Sequence, residues 1–184
     1  MVEPIEQAGV EAILAQQLAV AGRVEEAQAA MNRAVKQTQI GARHREQDPD
    51  SERYWPNVFG ALPEVLAAVW ILESPEAAVA RGEAWAEVFA NDEYQWRCAT
   101  ALYAAQAFRR AGEKGSAAAL DAAVRTLEET SDSFAFETAW TLRELCVQGR
   151  PTEAIALAQR PGPAAFSTAK ALGVAQGLRA IDNN

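Results

Sequence analysis

The sequence predicts an all-α protein built from paired antiparallel helices. Three observations carry that prediction. Alanine dominates an apolar content of 49% while β-branched residues are sparse, and alanine gives up no side-chain entropy in a helix. Apolar residues recur at helical spacing along the chain, and no segment alternates apolar and polar positions for long enough to form a strand. Glycines, prolines and short polar caps divide the 184 residues into segments of helix length.

Taken in order, the first helix reads from about Glu3 to Ala21, with Ile13, Leu14, Leu18 and Val20 roughly on one side as its apolar stripe. Gly22 stops it, because glycine accepts the left-handed turn that ends helices. A second helix follows from Val24 to Ile40, with Ala27, Met31, Ala34 and Val35 inward. So short a turn forces the pair antiparallel. Residues 42–60 carry Asp48-Pro49, Trp55-Pro56 and Gly60, which predict an irregular loop. A third helix spans Leu62 to Leu72. Ser74 then caps a fourth, with Pro75 in its first turn, that reaches Phe89. Asn91-Asp92 caps the fifth, Glu93 to Ala111, which Gly112 closes. The sixth covers Ser116 to Thr130. Ser131-Asp132-Ser133 caps the seventh, which ends at Gly149. Pro151 opens the eighth, and Pro161-Gly162-Pro163 separates it from a ninth, Ala164 to Ile181. The expectation is about nine helices in a single domain over residues 1–184.

The turns share a phrase: a stop residue, a short polar turn, then alanines at i and i+3 or i+4. It reads AGRVEEAQAAMNRA from Ala21, ESPEAAVARGEAW from Glu73, AGEKGSAAALDAAV from Ala111 and QGRPTEAIALA from Gln148. Small residues at those positions let two helices approach closely. On these residues the chain resembles the tetratricopeptide repeat (TPR) family, whose period is about 34 residues. The first repeat matches with Leu14, Ala15, Leu18, Gly22, Ala27, Met31 and Ala34, the third with Ala105, Phe108 and Gly112, and the fourth at its turn from Gly149 to Ala154. The second repeat lacks the turn glycine, and the 42–60 break lengthens the first spacing beyond one period. The resemblance implies an α-α superhelix, TPR-like, in which the first helix of each pair lines a concave groove.

The last helix carries Gly173 and Gly177 four apart, among Ala169, Ala175 and Ala180. Lys170, Gln176 and Arg179 forbid it a membrane. Its expected role is a closely packed cap at about 164–181, which repeat stacks require, with a homodimer through this helix as the lesser alternative.

Net charge is −8. A protein that neutralises phosphates needs the opposite sign or a dense basic patch, and Arg109, Arg110 and Lys114 make only a small one. The sequence therefore excludes nucleic acid as the expected partner, and its acidity keeps it off anionic membranes. No apolar run is long enough to span a bilayer, and MVEPIEQAGVEAI lacks the basic start and apolar run of a signal peptide. Cys98 and Cys146 lie in alanine- and leucine-rich helices, which predicts buried free thiols and fits a reducing, cytoplasmic compartment.

Catalytic chemistry has little to stand on. His44 is the single histidine and, between Arg43 and Arg45, reads as an exposed helix-end residue. The cysteines lack CxxC spacing, so no metal site is expected. Asp48, Asp50 and Glu52 lack the glycine and distal glutamate of a calcium loop. No phosphate loop, nucleophile elbow or HExxH is present. The sequence predicts no cofactor, no metal and no catalytic residue.

The resemblance instead implies a soluble scaffold that binds a protein or peptide in its concave groove. The residues it places there are Gln16, Leu102, Gln106, Arg109, Arg110, Phe136 and Arg143. Guanidinium forks pair with carboxylates, so an acidic peptide would suit the arginines. Tyr54, Trp55 and Phe59 form a second candidate in the loop, with pinning to the core as the favoured role. Trp70, Trp85, Trp96 and Trp140 are expected in the core. The alternative function is a helical small-ligand carrier or enzyme, which would show a deep pocket with buried carboxylates.

Overall fold

The computed structural model describes residues 4–47, 55–89, 93–129, 135–161 and 164–182. Among them lie nine α-helices and no strand: α1 (Pro4–Val20), α2 (Val24–Gln47), α3 (Trp55–Leu72), α4 (Pro75–Phe89), α5 (Glu93–Ala111), α6 (Gly115–Glu129), α7 (Ala135–Val147), α8 (Pro151–Ala158) and α9 (Ala164–Asp182). The all-α expectation holds in the described residues. None of these helices is long and apolar enough to cross a membrane.

Three turns use one backbone device. Gly22, Gly112 and Gly149 take φ of 74°, 71° and 78°, a region closed to most side chains. In each, the glycine N–H donates three residues back and the next N–H five residues back: Gly22 to Ala19 and Arg23 to Leu18, Gly112 to Arg109 and Glu113 to Phe108, Gly149 to Cys146 and Arg150 to Leu145. This double bond satisfies the orphan carbonyls of a helix end and turns the chain straight into the next helix. The fourth turn has no glycine. There the Ala77 N–H donates to Ser74 Oγ at 3.1 Å and Pro75 begins α4, as Ser74 and Pro75 predict.

Each odd-numbered helix from α1 to α7 packs on its even-numbered successor, and α1, α3, α5, α7 and α9 also pack one on the next in chain order. Two cores result. The first joins α1 to α5 through Ile5, Met31, Leu62, Leu66, Val69 and Trp96, with many alanines between them. The second joins α5 to α8 through Cys98, Leu102, Leu120, Leu142, Leu145 and Cys146. Partly buried Trp70 touches both. Both cysteines are free and buried, as expected.

Three local expectations need correction. The buried face of α1 is Ile5, Ala8, Gly9, Ala12, Ala15 and Gln16, while Val10, Ile13 and Leu14 are exposed. Small residues win this face because α3 comes so close that a Cβ on Gly9 would press against Ala61. The irregular stretch at 42–60 is largely helix, since α2 continues to Gln47 and α3 begins at Trp55. Pro56 fits there because a first-turn residue needs no N–H donor. Trp140 is exposed rather than core. Among the described residues, the buried Trp96 indole N–H finds no hydrogen-bond partner.

The last helix docks by its glycines. A Cβ on Gly173 would collide with the Ala139 backbone, and one on Gly177 with Cys146 and the Arg143 carbonyl, all on α7. Both glycines therefore serve a contact within the chain, as close approach of two helix backbones requires.

Candidate binding face on the odd-numbered helices

Side chains from α1, α3, α5 and α7 meet in a polar seam along the side of these helices turned from α6 and α8. At one end, Gln16 Nε2 of α1 donates to the Glu64 carbonyl at 3.0 Å and to Glu64 Oε2 at 2.7 Å on α3. Burial raises the Glu64 pKa above the usual carboxylate value; the Gln16 hydrogen bond and the charge of Arg110 pull against that rise. Tyr103 of α5 lies next along the seam. Burial pushes its pKa up to about 12, with the carboxylates Glu64 and Glu137 adding to the rise. Its ring is 6.5 Å from that of Trp140 on α7. Further along, Arg109 Nε donates to Glu144 Oε1 at 2.6 Å, and Gln148 Nε2 donates to the same oxygen at 3.1 Å. Glu144 is 0% exposed, so this charge stands in the interior only because its partners satisfy it.

The seven groove candidates therefore divide. Leu102 is wholly buried in the second core and offers nothing to a partner. Gln16, 6% exposed, spends its amide on Glu64. Arg109 is committed to Glu144. Gln106 is half-buried, Arg110 is exposed and Arg143 is half-buried. Phe136 is 74% exposed and Trp140 beside it 41%, their rings 6.3 Å apart. Tyr54 lies outside the described residues, as do Asp48, Asp50 and Glu52. Trp55 and Phe59 belong to α3. His44 is exposed on the last turn of α2.

What emerges is a narrower face on α5 and α7. Phe136, Trp140, Arg143 and Val147 recur at i, i+4, i+7 and i+11, one side of a helix at 3.6 residues per turn. Tyr103, Gln106 and Arg110 recur at i, i+3 and i+7 on α5 by the same rule. The Tyr103–Trp140 ring contact sets the two stripes side by side. Trp140 was missed because a tryptophan in a helix reads as core. Its spacing from Phe136 and Arg143 was the signal available. Glu64, Glu144 and Gln148 had no sequence signal, since their roles come from pairings across 35 residues or more or from a partner so paired.

On the other side, an open cleft of about 470 Å³ is lined by Ala118, Asp121, Val124, Arg125 and Glu128 of α6 and Glu153 of α8. Its acids are taken: Arg150 holds Asp121 at 2.7 Å and Glu153 at 2.8 Å, and Arg160 holds Glu128 at 2.7 Å. Among the described residues, no group of three or more histidine, cysteine, aspartate or glutamate side chains is placed to hold a metal ion.

No family model, curated protein or solved structure matches the chain.

Proposed function

We propose that the protein is a binding scaffold of TPR-like helix pairs, which takes a protein segment on the face formed by α5 and α7. The observation that carries this reading is the aromatic pair Phe136 and Trp140, left in solvent on the N-terminal half of α7. Aromatic side chains dominate interface energetics, and exposed apolar patches rimmed by polar groups mark interaction sites. Covering this pair removes roughly 200–250 Å² from water, about 5–6 kcal/mol of transfer free energy before the cost of association. The buried seam beneath supports the reading, because Glu144 and Glu64, held by hydrogen bonds, fix the helices that present the pair. The chain of contacts from α1 to α9, each odd helix on the next, supports the repeat-stack architecture on which the reading rests.

The test is selection of displayed random dodecapeptides against the wild-type chain and against F136S/W140S. These positions are exposed, so the variant is expected to fold. A V10S/I13S variant, altered on the exposed side of α1, is the surface control. The reading predicts peptides enriched on wild type and on the control and lost on F136S/W140S. Enrichment that survives F136S/W140S would remove the site. No enrichment on wild type would count against a segment-binding scaffold and favour the small-ligand alternative.

A further inference from the structure

We infer that copies of this chain associate head to tail, the outer face of α9 on one copy seating the outer face of α1 on the next. This contact is separate from the α5–α7 face and does not rest on it. In the packing series α1, α3, α5, α7, α9, the first and last helices have a neighbour of that series on one side only. A stack that stays single covers such helices with polar side chains. Neither is covered so here. Among the described residues, α1 and α9 carry six of the ten large apolar side chains that stand in solvent. Val10 of α1 is 68% exposed and Leu172 of α9 52%. Apolar side chains gathered on one exposed face, rather than scattered singly, mark an interaction site.

The two faces complement each other. Val10 and Leu14, at i and i+4, form a ridge of large side chains along α1. On α9 the exposed Ala171 and Ala175 share one side at the same spacing, and Leu172 and Leu178 flank them. A floor of alanines between two leucines takes such a ridge, as ridges pack into grooves where helices meet. Odd-numbered helices within the chain also meet through small residues, Gly9 of α1 on Ala61 of α3 and Gly173 of α9 on Ala139 of α7. A second copy therefore continues a contact that the chain already makes. Two α1 faces would set ridge on ridge and two α9 faces floor on floor, so the fit selects unlike faces. Their charges also differ in sign. α1 carries Glu6 and Glu11, the latter shared with Arg33, and no cation. α9 carries Lys170 and Arg179 and no acid before Asp182. Seating the faces on one another takes roughly 500 Å² of apolar surface out of water, an interface at the small, reversible end of the range. Because it joins two different patches, each copy keeps one open face and further copies can add.

Sedimentation velocity over about 5–500 µM protein, where an interface of this size equilibrates, tests the inference on wild type, V10S/L14S and L172S/L178S. All four positions are exposed, so both variants are expected to fold, which circular dichroism checks. Wild type is expected to show an average mass that rises with concentration beyond that of two chains. Each variant alone is expected to stay at the mass of one chain. An equimolar mixture of the two is expected to form a 1:1 pair and stop there, since V10S/L14S keeps its α9 face and L172S/L178S its α1 face. Wild type that stays single or stops at two chains would overturn the inference whatever the variants do. So would association of either variant by itself, which means like faces pair, or a mixture that does not pair.

Discussion

The two cores of this molecule are built on different terms. The first, between α1 and α5, is mostly apolar; its buried Thr38 donates back to the Ala34 carbonyl of its own helix at 3.0 Å, and a polar tie between its helices, from Gln16 of α1 to Glu64 of α3, belongs to the seam. The second, between α5 and α8, is threaded with polar ties across helices. Ser116 Oγ donates to the Ala105 carbonyl at 2.9 Å, Cys98 Sγ lies 3.8 Å from the Ala123 carbonyl and 3.9 Å from Thr141 Oγ1, and Arg109 reaches Glu144. Apolar packing tolerates adjustment, whereas buried hydrogen bonds to charge fix a geometry at some cost in stability. The solvent-facing aromatic pair stands over the second core, where the positions of helices are most tightly specified. The same contrast appears at the glycines. Gly41 of α2 has room, its nearest neighbour 3.7 Å from a Cβ added there, while Gly173 of α9 has none.

The largest effect should come from that last contrast. G173L forces α9 off α7 and is expected to cost about 3 kcal/mol or more, since overfilling a tight contact against backbone cannot relax. G41A should be neutral or gain up to about 1 kcal/mol, because alanine favours helix and fits. Urea unfolding of both variants measures the difference, and equal effects would break the comparison. Next in size, E144A strands the Arg109 and Gln148 donors and is expected to cost about 2–4 kcal/mol, less than a fully buried pair because Arg109 keeps partial access to water. T38V, in the apolar core, should cost about 1 kcal/mol or less.

These differences show how far the sequence could be read. Gly22, Gly112 and Gly149 were legible because a helix end at positive φ leaves little choice of residue, and Ser74-Pro75 because cap chemistry is local. The buried face of α1 was not. Hydropathy favours Ile13 and Leu14, but the approach of α3 selects Ala8, Gly9 and Ala12, a choice made by tertiary distance. The helical turns around Gln47 and Trp55 were hidden because prolines beside them read as breaks. At the candidate face, Phe136, Arg110 and Arg143 came from repeat register. The loss of Arg109 to Glu144 could not, since its partner lies 35 residues away.

A smaller effect sharpens the comparison through pH. The Glu64 pKa is raised from 4.5 by burial, so the folded chain holds that proton more tightly than the unfolded one. Its contribution favours folding as pH falls into the range just above the usual carboxylate value and is lost as pH rises through the folded value. E64Q should flatten that dependence. Tyr103, pushed from 10.0 to about 12, and Cys98, pushed from 9.0 to about 12, act in the same sense. Both groups resist ionisation when folded, so stability should fall as pH rises from about 9 to 12, and Y103F should remove the part that begins near 10. Unfolding midpoints across pH measure both limbs.

The tryptophans allow the most direct test of the binding face. Trp140 stands at the candidate site, while Trp85 and Trp96 are buried in the first core. Titration of 15N-labelled protein with a selected peptide, followed through the indole N–H signals, separates them. The account predicts that the Trp140 signal shifts progressively with peptide while those of Trp85 and Trp96 hold still. Shifts confined to other tryptophans, with Trp140 unmoved at saturation, would contradict it.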